Sequence, residues 1–244
     1  MRQDLKGRVA LVTGGSGGIG KALVAALAAA GSDVAVGYSS NEQAALESAE
    51  QARRLGVRAV AVQADLSEPT EAVGMAEDVE QLLGGVDLFV SNAGLGVQAG
   101  IEEIDAALWR ATQAVNLESP FLLTRRLTGP MAGRGFGRVL YVSSTAAFTG
   151  GIVGPHYASS KAGLRGLVAW FSSHLAERGV TVNAIAPALV ERTAMLPASE
   201  SDTAPTPVGR YGTPEEVAEL ALAMLANGYL TGKVVPLDGG LYPR

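Results

Sequence analysis

Seven short runs of valine, leucine, isoleucine and alanine recur along the chain, at Arg8–Thr13, Asp33–Tyr38, Arg58–Gln63, Asp87–Ser91, Arg138–Ser143, Val180–Ile185 and Gly232–Leu237. Their apolar residues are continuous rather than alternating, the pattern of strands covered on both faces. Longer segments of helical periodicity or composition lie between them, such as Gly20–Ala30, Glu42–Leu55, Glu71–Leu83 and Pro214–Ala226. Parallel strands need crossover connections, and these are right-handed. The alternation therefore predicts an α/β fold, a doubly wound parallel seven-stranded sheet with helices on both faces. No internal repeat or interdomain linker interrupts it. The 244 residues, 48% of them hydrophobic and 18% charged, suit a single domain over 1–244 with one sizeable core.

Composition narrows the function classes. The absence of cysteine excludes disulfides, thiolate metal sites and cysteine nucleophiles. His156 and His174 are the two histidines, so no metal site is expected. A net charge of −5 gives no electrostatic footprint for nucleic acid or an anionic membrane. Charges near the start, at Arg2, Asp4 and Lys6, stand where an export leader needs an apolar stretch, so a cytoplasmic location is expected. The stretch from Val139 to Ser160 has no Asp, Glu, Lys or Arg and is as long as a membrane span. Its Ser, Thr, Gly, Pro155 and His156 instead predict a buried strand followed by a loop beside a ligand. The breaker-rich Pro197–Pro207 reads as a mobile surface loop, part of a substrate loop around 189–210.

In doubly wound sheets the ligand sits at the carboxyl ends of the strands. After the first run comes Thr13-Gly14-Gly15-Ser16-Gly17-Gly18-Ile19-Gly20, leading into a helix. A turn without Cβ atoms lets a diphosphate approach backbone N–H groups at the positive end of that helix. The second run ends Tyr38-Ser39-Ser40-Asn41, with no carboxylate before Glu42 to bind free ribose hydroxyls. A neutral pocket does not repel a 2′-phosphate, so NADP(H) is the expected cofactor, with NAD(H) possible. Asp65, after the third run, is positioned either to accept a bond from an adenine amino group or to open a solvated loop.

Tyr157 and Lys161 are one helical turn apart and share a helix face. A lysine beside a phenol stabilises the phenolate and lowers a pKa that starts near 10, giving a general acid usable near neutral pH. Ser144, where the fifth run ends, puts a hydroxyl where it could hold a carbonyl oxygen.

Together these residues resemble the short-chain dehydrogenase/reductases, in the short single-domain branch. The resemblance covers nearly the whole chain: Thr13–Gly20, Asp65-Leu66, Asn92-Ala93-Gly94, Asn116, Ser144, Tyr157 with Lys161, a turn at Pro187 and Asp238-Gly239-Gly240. It implies a Rossmann fold and an oxidoreductase. Tyr157 would donate a proton to a substrate carbonyl that Ser144 orients, and Lys161 would bind the nicotinamide ribose and depress the Tyr157 pKa. Asn116 would position a water of a proton relay. Gly14, Ser16, Gly17, Gly18, Ile19, Gly20, Tyr38, Ser39, Ser40, Asp65, Leu66, Asn92, Ala93, Gly94, Tyr157, Lys161, Pro187, Val190 and Thr193 would contact the cofactor. Gly17 departs from the pattern, since NADP-dependent members often carry a basic residue there.

The pattern looks most like bacterial 3-oxoacyl-[acyl-carrier-protein] reductases. This implies a small-molecule or acyl-thioester substrate, with an acyl carrier protein as a possible partner; Arg125, Arg126, Arg134, Arg138 and Arg178, on or near the helices flanking the cleft entrance, read either as its docking patch or as ordinary solvated arginines. Steroids, quinones, sugars and cyclic ketones are alternative substrates of the same framework, and a non-catalytic nucleotide sensor is the alternative from another class. Trp109, Trp170 and Phe171 read as packing or subunit-interface residues, His156 as a loop residue and His174 as a surface or interface residue. The resemblance also implies a homotetramer.

Overall fold

A strand without a polar face is stable only where both faces are covered. In the computed structural model, which describes residues 4–193, 196 and 205–242, all seven apolar runs are strands of one parallel sheet. They are β1 (Val9–Thr13), β2 (Asp33–Tyr38), β3 (Ala59–Gln63), β4 (Leu88–Ser91), β5 (Gly137–Val142), β6 (Val180–Pro187) and β7 (Val234–Leu237). The sheet order is β3-β2-β1-β4-β5-β6-β7, so the strand sequence reverses between β1 and β4 and opens a crevice at their carboxyl ends.

The helices are α1 (Gly18–Ala29), α2 (Glu42–Arg54), α3 (Pro69–Leu83), α4 (Ala106–Gln113), α5 (Ser119–Gly133), α6 (Ala146–Thr149), α7 (Pro155–Leu175) and α8 (Pro214–Leu225), with a π-helical turn at Ala114–Glu118. Successive strand residues face opposite sides of the sheet. In β1, Ala10 and Val12 pack with Leu23, Leu27, Ala45 and Met224 of α1, α2 and α8. Val9 and Leu11 face the layer of Met75, Leu127 and Val168 from α3, α5 and α7. Both strand faces are thus buried, as the continuous runs require.

The boundaries differ from the sequence expectation where a polar group or a turn takes over. The Arg58 guanidinium and N–H both bond the carboxylate of Asp33 in β2, and the Asp87 carboxylate accepts from Val9 N–H, so Arg58 and Asp87 stand just before β3 and β4 rather than within them. Gly232 has φ +73 and forms a turn that delays β7. The uncharged 139–160 stretch is only partly loop, because α6 and the start of α7 fall inside it. Residues 194, 195 and 197–204 of the expected substrate loop lie outside the described residues. Its flanks are tied together where Gly212 N–H donates to Leu189 O at 2.9 Å and Glu191 N–H to Gly212 O at 3.0 Å. Among the described residues no helix is long and apolar enough to cross a membrane.

The turn between β1 and α1 shows which glycines are obligatory. A Cβ at Gly20 would stand 2.0 Å from Gly14 O, a backbone atom, whereas at Gly17 the nearest atom is 3.5 Å away. Gly20→Ala is therefore expected to cost about 1–3 kcal/mol, roughly 2–12 °C in Tm. Gly17→Ala should stay within about 0.5 kcal/mol of wild type. Thermal melts of the two variants compare them directly.

Candidate active site

The carboxyl ends of the strands line a cavity of about 1060 Å³. Its glycine half is built by close approach. Gly14 has φ +64, and a Cβ there would lie 2.9 Å from Ala93 Cα. A Cβ at Gly18 would meet Arg192 O at 2.1 Å. The Asn92 side-chain amide donates to Thr13 O at 3.1 Å and Gly14 O at 3.0 Å, while Thr13 Oγ1 accepts from Asn92 and Ala93 N–H. Gly17 caps α1 without a side chain, which leaves the first N–H groups of the helix facing the cavity for an anion. This bare cradle fits a dinucleotide diphosphate.

Tyr38, Ser39 and Ser40 line the next part of the cavity, at the end of β2. Burial first, and then the nearby Glu42 carboxylate, push the Tyr38 phenol above its ordinary value; Glu42 does not itself line the cavity. Asp65 does line it, with Oδ1 accepting from Ser67 N–H at 2.9 Å and from the Ser67 hydroxyl at 2.7 Å. Those bonds hold its carboxyl below the ordinary value, so Asp65 organises its own turn. Ser16, Ile19, Leu66, Gly94, Pro187, Val190 and Thr193 complete the predicted set, and every cofactor-site candidate faces this one cavity.

The other half is formed where β5 ends and α7 begins. Ser144 Oγ accepts from Ala146 N–H at 3.1 Å, and its hydroxyl lies close enough to Tyr157 to favour the phenolate. Lys161, one turn beyond Tyr157, is buried; its Nζ donates to Val142 O at 2.9 Å and lies 5.7 Å from the centre of the Tyr157 ring. Desolvation dominates both groups. Burial pushes the Tyr157 phenol above its ordinary value against the opposing influence of Ser144, and it brings the Lys161 ammonium down to about 8. The expected depression of the Tyr157 pKa by Lys161 is therefore not found in this geometry.

Asn116 does not line the cavity. It sits fully buried in the π-helical turn, a distortion frequent at functional sites. Its Oδ1 accepts from Leu95 N–H at 2.7 Å, and its Nδ2 donates to Leu95 O at 2.9 Å and Ser160 Oγ at 3.0 Å. The Ser160 hydroxyl donates to Tyr157 O at 2.7 Å, and Ser143 Oγ to Lys161 O at 3.0 Å. A Cβ at Gly94 would lie 3.3 Å from Lys161 Nζ and 3.5 Å from Asn116 Oδ1, so Gly94 is the gap through which the two approach each other.

Sequence reasoning did not single out Ser143, the Leu95 backbone or Ser160 as supports.

 The Leu95 backbone and the two serines become legible only once the ends of β4 and β5, the π-helical turn and α7 are brought together, because those bonds join residues far apart in the chain. The arginines expected at the cleft entrance are also placed differently. Arg126 holds Glu80 through Nη1 at 3.0 Å, Arg134 donates to Val86 O and the Asp87 carboxylate, and Arg138 is buried beside the Phe136 ring. Arg134, Arg138 and Arg178 lie at the amino ends of β5 and β6, the opposite end of the sheet from the cavity. They form no patch at the entrance of this chain's own cleft. His156 is buried and its Nε2 meets Val97 O at 3.0 Å, tying the chain after β4 to α7. Trp170 stacks on His174 and meets Phe171 edge-on, and Trp109 is half exposed, all outside the cavity.

The family model for short chain dehydrogenase matches residues 8–204. The chain belongs to the short-chain dehydrogenase/reductase family. It is thus an NAD(P)-dependent oxidoreductase. The chain is 35% identical to 3-oxoacyl-[acyl-carrier-protein] reductase FabG from Aquifex aeolicus (strain VF5), covering 99% of this chain and 100% of the relative. It is 33% identical to L-rhamnose 1-dehydrogenase (NADP(+)) from Thermoplasma acidophilum, covering 98% and 97%. Among solved structures, a short chain dehydrogenase from Burkholderia cenocepacia J2315 in complex with NADP matches with a TM-score of 0.89 at 31% identity, over 98% of this chain and 99% of that one.

The Asn116 network carries a stability expectation of its own. Asn116→Ala removes three bonds and leaves Leu95 N–H and C=O without their side-chain partner. The variant should lose about 2–3 kcal/mol, roughly 4–12 °C in Tm. Calorimetry reads the difference, and an unchanged Tm would mean that Leu95 needs no side-chain tether.

Proposed function

We propose that this short-chain dehydrogenase/reductase is a cytoplasmic, NADP(H)-dependent carbonyl reductase that converts a ketone, with 3-oxoacyl thioesters as the leading candidates, to a secondary alcohol. The observation that carries the reading is the Ser144–Tyr157 pair, with Lys161 behind it, in the same cavity as the glycine cradle. When bound, the nicotinamide supplies the hydride. Ser144 then holds the carbonyl oxygen, and Tyr157 donates its phenolic proton to that oxygen as the alcohol forms. A phenol kept above its ordinary pKa by burial stays protonated at neutral pH, which suits the reductive direction. Lys161 would hold the nicotinamide ribose hydroxyls and keeps a positive charge beside the phenol. Asn116 acts through Leu95 and Ser160, fixing where Tyr157 and the Gly94 gap sit.

The neutral end of β2 supports NADP(H). No residue from Tyr38 to Asn41 is acidic, and Glu42 does not line the cavity. The NADP carried by the Burkholderia relative points the same way. Exposed Ile152 and Leu241 at the cavity give a thioester tail an apolar way out. An acyl carrier protein remains the partner that the Aquifex relative's name points to, although the arginines described above give it no docking patch at this cleft. We also propose one catalytic domain over 1–244 and assembly into a homotetramer, supported by the half-exposed Trp109, Phe121 and Trp170 on α4, α5 and α7.

Tyr157→Phe tests the reading. It should lower kcat for reduction of acetoacetyl thioesters by about 10²–10⁴-fold while leaving NADPH binding, measured by fluorescence, close to wild type. Wild-type turnover by this variant would overturn the proposed acid. A kcat/KM for NADH above that for NADPH would overturn the cofactor choice.

A further inference from the structure

The chain after β7 curls back toward the cavity. The Asp238 carboxylate accepts from Gly240 N–H at 3.0 Å and from Tyr242 N–H at 2.8 Å, with Gly239 and Gly240 at φ +60 and +87. This turn delivers Leu241 and Tyr242 to the lining. The Tyr242 ring stacks on Phe148, with centroids 5.4 Å apart and planes 17° from parallel. Phe148 belongs to α6, the short helix between Ser144 and Tyr157, and the Arg165 guanidinium lies 4.8 Å from its centroid.

The opposite side of the turn is packed as closely. Val208 N–H donates to Gly239 O at 3.1 Å, a Cβ at Gly239 would be 3.2 Å from Thr206 Cβ, and one at Gly240 would be 3.2 Å from Pro207 Cβ. The turn is therefore wedged between α6 and the 205–212 segment. The lining contributed by α6, the 151–153 loop and the turn includes Thr149, Ile152, Val153, Leu241 and Tyr242, with Tyr211 from the neighbouring segment. None of these side chains is charged. Among the described lining residues, Asp65 and Lys161 are the charged ones, one held in its own turn beyond β3 and the other beneath Tyr157.

We infer that the C-terminal turn Asp238–Tyr242 is the specificity wall of the substrate site: Tyr242, braced on Phe148, limits the bulk of an uncharged, apolar substituent on the ketone. The inference rests on the reductase reading. Polyhydroxylated or carboxylate substrates find few fixed polar partners on this wall, and burying their polar groups without partners is unfavourable. An aliphatic or aryl substituent fits by area and shape, and one side chain at the end of a pocket sets its length.

The experiment measures kcat/KM with NADPH over a series of methyl ketones from butanone to long-chain and aryl members, for wild type, Tyr242→Ala and Tyr242→Phe. Tyr242→Ala should raise the ratio of long-chain to short-chain kcat/KM by about tenfold, with NADPH affinity unchanged. Tyr242→Phe keeps the stacking ring and should keep the wild-type ratio. An unchanged ratio in Tyr242→Ala, or a wild type that prefers an aldose to every apolar ketone, overturns the wall while the reductase reading stands. A wild type that binds NADPH but reduces neither ketones nor acetoacetyl thioesters removes the reductase reading, and the wall with it.

Discussion

A buried ammonium organises the Ser144–Tyr157 half of the cavity. Lys161 is 4% exposed, and a charge so placed is unfavourable unless polar groups surround it. Val142 O accepts directly from Nζ, and Ser143 Oγ bonds the lysine's own carbonyl, so the end of β5 and the second turn of α7 are fixed to each other. Gly94 leaves the space in which Nζ and Asn116 Oδ1 come near one another. Asn116 in turn holds Leu95 and, through Ser160, the Tyr157 carbonyl. Three segments distant in sequence thus converge on one positive charge, and burial draws its pKa down to about 8.

The glycine turn is the complementary constraint. Gly20 and Gly14 meet backbone to backbone, and Gly18 meets Arg192 O in the chain after β6. These approaches set the height of the α1 N-terminus above the sheet. The β1/β4 reversal then puts the cradle and the Ser144–Tyr157 pair along one crevice. Carbonyl reduction would need this: a cradle that would hold the hydride donor beside the carbonyl carbon, with a proton donor at the carbonyl oxygen.

The sheet was legible because continuous apolar runs have few other ways to bury both faces. Boundaries slipped by a residue or two at Arg58, Asp87 and Gly232, where an ion pair, a carboxylate-to-backbone bond or a positive φ ended the ladder. Site residues with local signatures, such as the glycine turn and the Tyr157–Lys161 spacing, could be read from the chain itself. What escaped was non-local. The Leu95 tether to Asn116 spans 21 residues and the Asn116–Ser160 bond 44, and no spacing rule announces either. Tyr242 reaches the cavity only through the Asp238 turn. The arginines misled because proximity to a helix in sequence does not tell which end of the sheet it reaches. The phenol pKa went the other way because residue spacing does not reveal desolvation.

The central claim is that the buried, charged Lys161 supports a Tyr157 proton donor. Its most direct test is the pH dependence of kcat/KM for ketone reduction. Lys161 carries its proton below about 8 and loses it above, while burial keeps Tyr157 protonated beyond its ordinary range. The rate should therefore be level on the neutral side and fall by about tenfold per pH unit above the lysine's value. A profile that stays flat until the phenol itself ionises would contradict the account.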